Sequence, residues 1–277
     1  MQSAYIRTSP PSDTISAIGP SFHFCKAIGG PENEWGSSLI QTADGGYAIA
    51  GGTESFGAGE ADVYVVKLDA NGNLQWTKTI GGESDDWGNS LIQTSDGGYA
   101  VAGGTKSFGA GEKDVYLVKL DAKGNLQWIK TIGGESDDWG YSLIQTSDGG
   151  YAVAGGTESF GAGGDDVYVV KLDANGNLQW TKTIGGPDDE SGKSLIQTSD
   201  GGYAIAGFTY SFGAGWNDVY VVKLDKNGNT CCAVSQTFQV GSGGRLGSPT
   251  SSIGSRGTLT SPTSRISSGG TLTNLCP

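Results

Sequence analysis

The chain has 277 residues, 49 of them glycine, and its formal net charge is −12 at pH 7. An acidic surface repels the phosphates of nucleic acids and of anionic membranes, so we expect no nucleic acid partner. No stretch approaches the roughly 20 apolar residues that a spanning helix needs, and we expect no membrane span. The glycines follow no Gly-x-y period, which excludes a collagen-like chain.

The N-terminal segment, residues 1–21, precedes the repeated part of the chain. It lacks both the basic start and the apolar core of a secretory signal peptide, so none is visible. Residues 22–28 align with the last strand of the repeat that follows, although no other strands of a unit precede them. We expect this N-terminal strand to complete the last repeat unit and to close the array, because closure removes exposed sheet edges.

Residues 22–236 form the predicted repeat domain, which has a period of 52 residues. The tetrapeptide Gly-Gly-Tyr-Ala begins at Gly45, Gly97, Gly149 and Gly201. A fixed period of about this length is typical of propellers and other repeat folds. The domain contains 13 lysines and 28 acidic residues, so its net charge is −15.

Each unit predicts four strands, which in the first complete copy are residues 38–42, 47–53, 62–68 and 74–80. Ala-Asp-Gly-Gly joins the first two strands and Asp-Ala-Asn-Gly-Asn joins the last two, and both favour tight hairpin turns. The longer loops, 53–61 and 81–89, then lie together at the other end of the strands, which we call the long-loop side. We predict an all-β chain: a β-propeller of four four-stranded antiparallel blades with its binding face on the long-loop side.

Two motifs carry a resemblance to known families. Tyr-Ala-Ile-Ala-Gly-Gly at 47–52, followed by Tyr64 and Trp76, resembles the glycine doublet, tyrosine and tryptophan order of kelch-type propellers. Thr-Ser-Asp-Gly-Gly-Tyr at 94–99, with Lys-Leu-Asp at 119–121 and Gly-Asn at 124–125, resembles an uncharacterised prokaryotic propeller repeat of secreted and surface proteins. The resemblance implies a propeller fold and an extracellular or cell-surface location, but propellers host many unrelated activities.

No residue pattern predicts catalysis, a metal or a cofactor. The Asp69–Asn73 loop resembles a calcium-binding loop, but it lacks the later acidic ligand, and its residues suit a hairpin turn. His23, the single histidine, aligns with exposed strand positions rather than with a nucleophile. Adjacent acids such as Asp85 and Asp86 are expected to be ordinary ionised carboxylates on a solvated loop.

Aromatic residues supply the candidate ligand-binding positions. Trp35, Trp87 and Trp139 recur in the loop between units, where packing at the sheet edge and ligand contact are both open. The fourth unit departs from the repeat with Phe208 in place of glycine and with Tyr210 and Trp216 in place of charged residues or glycine. With the repeated Phe212, these residues predict an aromatic cluster on the long-loop side. Packing under the N-terminal segment or the tail is the alternative interpretation.

Four cysteines are the disulfide candidates: Cys25, Cys231, Cys232 and Cys276. If the N-terminal strand completes the last unit, Cys25 comes close to Cys231 and Cys232, and we expect a bond to one of them in an oxidising compartment. Beyond the repeats, residues 237–277 form a tail rich in Ser, Thr and Gly, whose composition favours a flexible stalk over short strands.

These patterns favour a non-enzymatic binding or scaffold module at the cell surface or outside the cell. Its expected partner is a protein or a glycan bound on the long-loop side. Two alternatives remain open: a propeller enzyme of quinoprotein, lyase or hydrolase type, and a purely structural surface-layer repeat. Departures confined to one unit favour binding, whereas uniform units favour a structural role.

Overall fold

The computed structural model describes Phe24, residues 26–213 and 216–230, and the backbone of residues 239–241, 245–247 and 265–267. Every regular element in these residues is a β-strand, and the strands form four antiparallel sheets. Among the described elements there is no helix of the length and apolarity that crossing a membrane requires. The all-β prediction is therefore confirmed.

Each sheet contains one repeat unit, with neighbouring strands paired in sequence order. Sheet 1 comprises β1 (Glu34–Gln41), β2 (Tyr47–Thr53), β3 (Asp62–Leu68) and β4 (Leu74–Ile80). Sheet 2 comprises β5 (Asp86–Gln93), β6 (Tyr99–Thr105), β7 (Asp114–Leu120) and β8 (Leu126–Gly133). Sheet 3 comprises β9 (Asp138–Gln145), β10 (Tyr151–Thr157), β11 (Asp166–Leu172) and β12 (Leu178–Gly185). Sheet 4 comprises β13 (Glu190–Gln197), β14 (Tyr203–Thr209) and β15 (Asp218–Leu224).

The predicted bounds hold for the second to fourth strands of the first unit, but the first strand is longer than predicted. It begins at Glu34 rather than at residue 38. A β-bulge between Gly36 and Ser38 lets pairing with β2 continue toward the long-loop side. The loop between units is correspondingly shorter than the sequence pattern indicated.

A lysine, buried in sheets 1 to 3 and half-exposed in sheet 4, joins the two tight turns at the end of each sheet opposite the long loops. The Lys67 ammonium donates to Asp44 Oδ2 at 2.9 Å and to the carbonyl of Leu68 at 2.9 Å, and its side chain is only 3% exposed. Gly46 must be glycine, because a Cβ there would lie 2.2 Å from the Leu68 carbonyl oxygen. The same ion pair recurs in the other units at Lys119–Asp96, Lys171–Asp148 and Lys223–Asp200.

Consecutive sheets pack face to face through apolar side chains. We call the side of a sheet that meets the next unit its trailing face, and the side that meets the previous unit its leading face. Val63 and Val65 on the trailing face of sheet 1 are completely buried against Tyr99 and Val101 on the leading face of sheet 2. Fourth-strand tryptophans also cross each junction, and their edge-to-face contacts with the next sheet are Trp76–Tyr99, Trp128–Tyr151 and Trp180–Tyr203. Such ring pairs add about 0.5–1.5 kcal/mol each beyond their burial.

Phe24 and Ile28 cover part of the leading face of sheet 1. Phe24 meets Tyr47 edge-to-face at 5.6 Å between ring centroids, the same separation as Trp76 from Tyr99 one unit later. Ile28 packs against the buried Tyr64, Val66 and Leu68 cluster. Phe24 therefore occupies the position of a fourth-strand tryptophan, as its alignment predicts, and a groove of about 440 Å³ remains beside it.

No described residue covers the trailing face of sheet 4. Val219 is 83% exposed and Val221 is 67% exposed, although the matching Val63 and Val65 are fully buried. Among the described residues no strand pairs with the outer edge of β15, and no sheet is closed. The predicted completion of the last unit by the N-terminal strand is therefore not seen in this part of the chain.

Three short strands belong to the segment predicted to be a low-complexity tail. β16 (Gln239–Gly241) pairs with β12 at the outer edge of sheet 3, and β17 (Arg245–Gly247) pairs with β8 at the outer edge of sheet 2. β18 (Arg265–Ser267) in turn pairs with β17. Short strands, the less favoured interpretation of the tail sequence, are thus present.

Candidate functional site

On the long-loop side, the loop that leads into each sheet hydrogen-bonds to the loop between the second and third strands of that sheet. The Ser84 amide donates to Ser107 Oγ at 3.0 Å, and the Lys106 amide donates to the Asp85 carbonyl at 2.8 Å. Beneath these contacts Phe108 stacks on Tyr116 at 6.0 Å, and the other units carry the same pair. The loops are therefore held on a rigid support, as a binding surface requires.

A pair of carboxyl groups is buried under the loops at each junction. Asp62 is 1% exposed and Asp86 is completely buried. The expectation that Asp86 is an ordinary solvated carboxylate is therefore wrong. The first strand of sheet 2, β5, begins at Asp86. The Asp86 side chain points inward, where its Oδ2 accepts from the Gly82 amide and from Ser107 Oγ, each at 2.7 Å.

The tryptophans of the first strands lie over glycines of the neighbouring second strands. A Cβ on Gly52 would lie 2.2 Å from the Trp35 ring, and a Cβ on Gly104 would lie 2.7 Å from the Trp87 ring. This arrangement is packing, although Trp35 is still 39% exposed. In sheets 1 and 2 the tryptophan ring therefore leaves no room for a side chain on its cross-strand partner, whereas in sheet 3 a Cβ on Gly156 would lie 3.4 Å from the Trp139 ring.

A lysine lies between two of these tryptophans at the junction of sheets 2 and 3. The Lys113 ammonium lies 5.7 Å from the centroid of the Trp87 ring and 5.1 Å from that of the Trp139 ring. It also forms an ion pair with Asp137 at 2.7 Å. Its charge is thus satisfied within the protein, which leaves this junction without an unpaired cation for a ligand.

In sheet 4 the large and the small residue of one cross-strand pair have exchanged strands. The cross-strand pair that is Trp139 with Gly156 in sheet 3 becomes Ser191 with Phe208 in sheet 4. The aromatic ring thus moves from the first strand to the second and fills the space over its partner. Phe208 stays a predicted ligand contact, and its ring stands where the other units have glycine.

The exchange creates a cluster of aromatic and charged side chains at the junction of sheets 3 and 4. The Lys193 ammonium lies 3.3 Å from the centroid of the Tyr141 ring and 5.5 Å from that of Phe208. Tyr210 meets Phe208 edge-to-face at 5.8 Å and is 44% exposed. We call Tyr141, Lys193, Phe208 and Tyr210 the junction cluster.

Carboxyl groups border the junction cluster. Asp165 occupies the position of Lys113, so the cation of the previous junction is replaced by an acid. Burial, together with the charges of Glu158 and Asp189, raises the pKa of Asp165 to about 6. The Asp165 amide donates to Asp189 Oδ1 at 3.1 Å, and the Tyr210 amide donates to the Asp189 carbonyl at 2.9 Å. The surface therefore presents exposed ring faces beside groups that accept and donate hydrogen bonds.

Comparison with known proteins gives one partial similarity. No family model matches this chain. Regulatory protein FlaEY of Caulobacter vibrioides is 28% identical over 187 residues, which cover 57% of this chain. The chain spans about a fifth of the length of that relative, with 20% of it covered.

The remaining predicted aromatic positions divide into exposed and packed residues. Trp216 is 90% exposed on the same loop as Tyr210, as a ligand contact requires. Phe212 stacks on Tyr220 at 5.7 Å, the ring contact that every other unit makes, and its ligand contact stays a prediction. Trp35, Trp87 and Trp139 lie near the loops but in separate units, and the structure does not bring them together with Trp216.

Other predicted sites are turns or lie outside the described residues. Asp69 accepts the amides of Asn71 and Asn73 through Oδ1, each at 2.8 Å, and Gly72 has a φ of 77°, so this loop is a hairpin turn as expected. In the described part of the chain no three His, Cys, Asp or Glu side chains are grouped to hold a metal ion. His23 and the disulfide candidates lie outside the described residues: Cys25, Cys231, Cys232 and Cys276.

Sequence reasoning missed Tyr141, Lys193 and Asp165. Their signal was available, because position 193 and its counterparts differ in all four units, with Ser37, Asn89 and Tyr141 before Lys193. A position that varies within an otherwise repeated strand marks a place where neighbouring units differ in contact.

Proposed function

We propose that this protein is a non-catalytic binding module whose ligand site is the junction cluster together with Trp216. One observation carries the proposal: Ser191, Phe208 and Tyr210 replace the tryptophan, glycine and charged residue of the other three units, and all three lie in sheet 4 on the long-loop side, where Lys193 and Tyr141 join them. Uniform structural units would not concentrate their differences in one place. Exposed aromatic residues beside polar groups are typical of interaction surfaces.

The partner is a glycan or a protein segment that stacks on Tyr210 and Trp216. Both rings are exposed, and an aromatic face suits a sugar ring or a planar side chain. The adjoining Asp165 and Asp189 carboxyl groups supply hydrogen bonds to hydroxyl or amide groups. The similar Caulobacter protein is named a regulatory protein.

The module is a kelch-like four-bladed propeller located outside the cell or at its surface. The trailing face of sheet 4 and the leading face of sheet 1 have the residue types that meet at the three junctions inside the chain, which supports closure of the ring. Phe24 lies on sheet 1 where a preceding fourth strand would place a tryptophan. Pairing of its strand with β15 would remove the exposed edge of sheet 4.

Tyr210→Glu and Trp216→Glu test the ligand site, because glutamate stands at the matching positions of sheet 1. Leu74→Glu is the matched control, since it changes a 55% exposed apolar residue outside the long loops. Glycan and peptide arrays probed with the intact chain should identify ligands whose binding both site variants lose and the control retains. Melting temperatures should stay within about 3 °C of wild type, because surface substitutions change stability by about 0.5 kcal/mol. Binding that survives both substitutions would contradict the proposed site.

A further inference from the structure

Two carboxyl groups converge at each junction between sheets. At the first junction a Cβ on Gly81 would lie 2.0 Å from Asp62 Oδ1 and 2.6 Å from Asp86 Oδ2. At the second, a Cβ on Gly133 would lie 2.2 Å from Asp114 Oδ1 and 2.5 Å from Asp138 Oδ2. At the third junction Gly185 lies in the same way between Asp166 and Glu190. Glycine is thus the only residue that leaves room for each pair.

The pairs are buried, and one oxygen of some of these groups has no hydrogen-bond partner. Asp62 Oδ2 accepts from the Ala58 amide at 2.9 Å, but Asp62 Oδ1 and Asp166 Oδ1 accept from no described group. Asp86 and Asp138 each also interact with a threonine hydroxyl, that of Thr105 and of Thr157, and burial still raises their pKa values. Two buried negative charges with unsatisfied oxygens are strongly unfavourable, so a proton or a cation must neutralise each pair.

A proton fits these sites better than a metal cation. Calcium takes six to eight oxygen ligands and magnesium takes six, whereas each junction offers two carboxyl groups. No third acid, histidine or cysteine completes such a ligand set in the described residues. We infer that the two carboxyl groups of each junction share one proton, so that the sheets are joined by a carboxylic acid and a carboxylate.

The titratable groups that face each pair come from both adjoining sheets. At the second junction the Tyr168 phenol of sheet 3 is buried beside Asp138 and Asp114, and burial with these charges raises its pKa. At the third junction Asp165 adds a further acid next to Asp166. No lysine or arginine acts on the first pair among the interactions that shift its pKa values. The surroundings thus disfavour a second negative charge at every junction.

Burial raises the pKa of Asp62 to about 7 and that of Asp86 to about 6. It also raises the pKa values of Asp138 and Asp166 to about 7 each. A carboxyl group whose pKa is higher in the folded state binds more protons there than in the unfolded chain. Such a group stabilises the folded state fully below about pH 3.8, its pKa in the unfolded chain, and this stabilisation is lost as the pH rises through about 7, its pKa in the folded state.

Carbon-13 NMR of aspartate carboxyl groups in the intact protein tests the shared proton directly. We expect about four aspartate signals with titration midpoints above about pH 5.5, three from the pairs, assigned through Asp62→Asn and Asp138→Asn, and one from Asp165. The slope of the unfolding free energy against pH between about 5 and 6 should correspond to about four protons released on unfolding. Each Asp→Asn variant should reduce that number by about one, because the amide replaces the protonated carboxyl group.

Glu112→Gln is the control, since it removes one charge from an exposed loop and should leave the proton number unchanged. Asp86→Asn should melt at or above the wild-type temperature at pH 8, whereas Asp86→Ala should melt lower at every pH. The inference is overturned if every aspartate carboxyl group titrates below about pH 5. It is equally overturned if millimolar calcium or magnesium raises the melting temperature and a chelator reverses the effect, because a cation then occupies the pairs.

Discussion

The exchanged residues of sheet 4 offer a direct test of how the junction cluster is packed. In sheets 1 and 2 a tryptophan ring occupies the space that a cross-strand side chain would need, with Cβ positions 2.2 and 2.7 Å from the rings. Ser191→Trp alone therefore forces a tryptophan against Phe208. We predict a destabilisation of about 1–3 kcal/mol from overpacking.

Phe208→Gly alone removes the ring that Lys193 and Tyr210 contact. The loss of a half-buried phenylalanine costs about 2 kcal/mol, less than the 3–5 kcal/mol of a fully buried one. Glycine within a strand adds about 0.5–1 kcal/mol. Together, Ser191→Trp and Phe208→Gly rebuild the pair found in sheets 1 to 3. We therefore expect the double variant to lie within about 1 kcal/mol of wild type, a coupling of about 3 kcal/mol.

Urea denaturation followed by far-ultraviolet circular dichroism, at fixed pH and salt, measures all four members of this cycle. A control cycle combines Phe208→Gly with Leu39→Ser in sheet 1, where the two changes share no neighbour and should add. Additive effects for the Ser191 and Phe208 pair would refute the exchange. The ring of Phe208 would then have a role other than filling the place of the missing tryptophan.

Three further predictions follow from the sheet contacts. Deletion of residues 1–30 should lower the melting temperature by several degrees, because Phe24 no longer covers sheet 1; an unchanged value would show that this contact contributes little. Gly81→Ala should destabilise the protein by more than about 2 kcal/mol in urea titrations, since its Cβ would meet two buried carboxyl groups. Hydrogen bonds from Thr42 and Lys67 lower the pKa of Asp44 from 3.8 to about 2. The stabilisation that ionised Asp44 gives the folded state is therefore present above pH 3.8 and should be lost as the pH falls through about 2, which unfolding measured at a series of acid pH values would detect.

The strand pattern was readable from the sequence because local signals agree in every unit. Turn residues, period-two hydrophobic residues and the constant 52-residue spacing fixed three of four strand bounds in the first unit. The start of the first strand was missed because Gly36 disrupts the apolar pattern, and pairing continues past it only through a β-bulge. That error shortened the first strand and placed Asp86 in a solvated loop.

The candidate site was only partly predictable for a related reason. Tyr210 and Trp216 stood out because their chemistry changes from charged or glycine to aromatic, and both are exposed. Phe208 stood out equally, yet its role depends on Ser191, its cross-strand neighbour on the adjacent strand β13. Substitutions in one strand that compensate for another are visible only when the register is known. Lys193 was overlooked because a charge on an edge strand is usually solvated.

Uniform and unit-specific features of the repeat therefore point to different roles. The buried carboxyl pairs and the Trp76-type ring contacts recur at successive junctions, and the Lys67-type ion pairs recur within successive sheets, so these features serve the fold rather than one ligand. At the third junction an acid replaces the lysine that lies between two tryptophans at the second. At the third junction the cation beside the aromatic rings is Lys193 instead, next to Tyr141 and Phe208. A chain of nearly identical units can acquire one binding site in this way, because a few exchanges at one junction change the surface while every other junction keeps the fold.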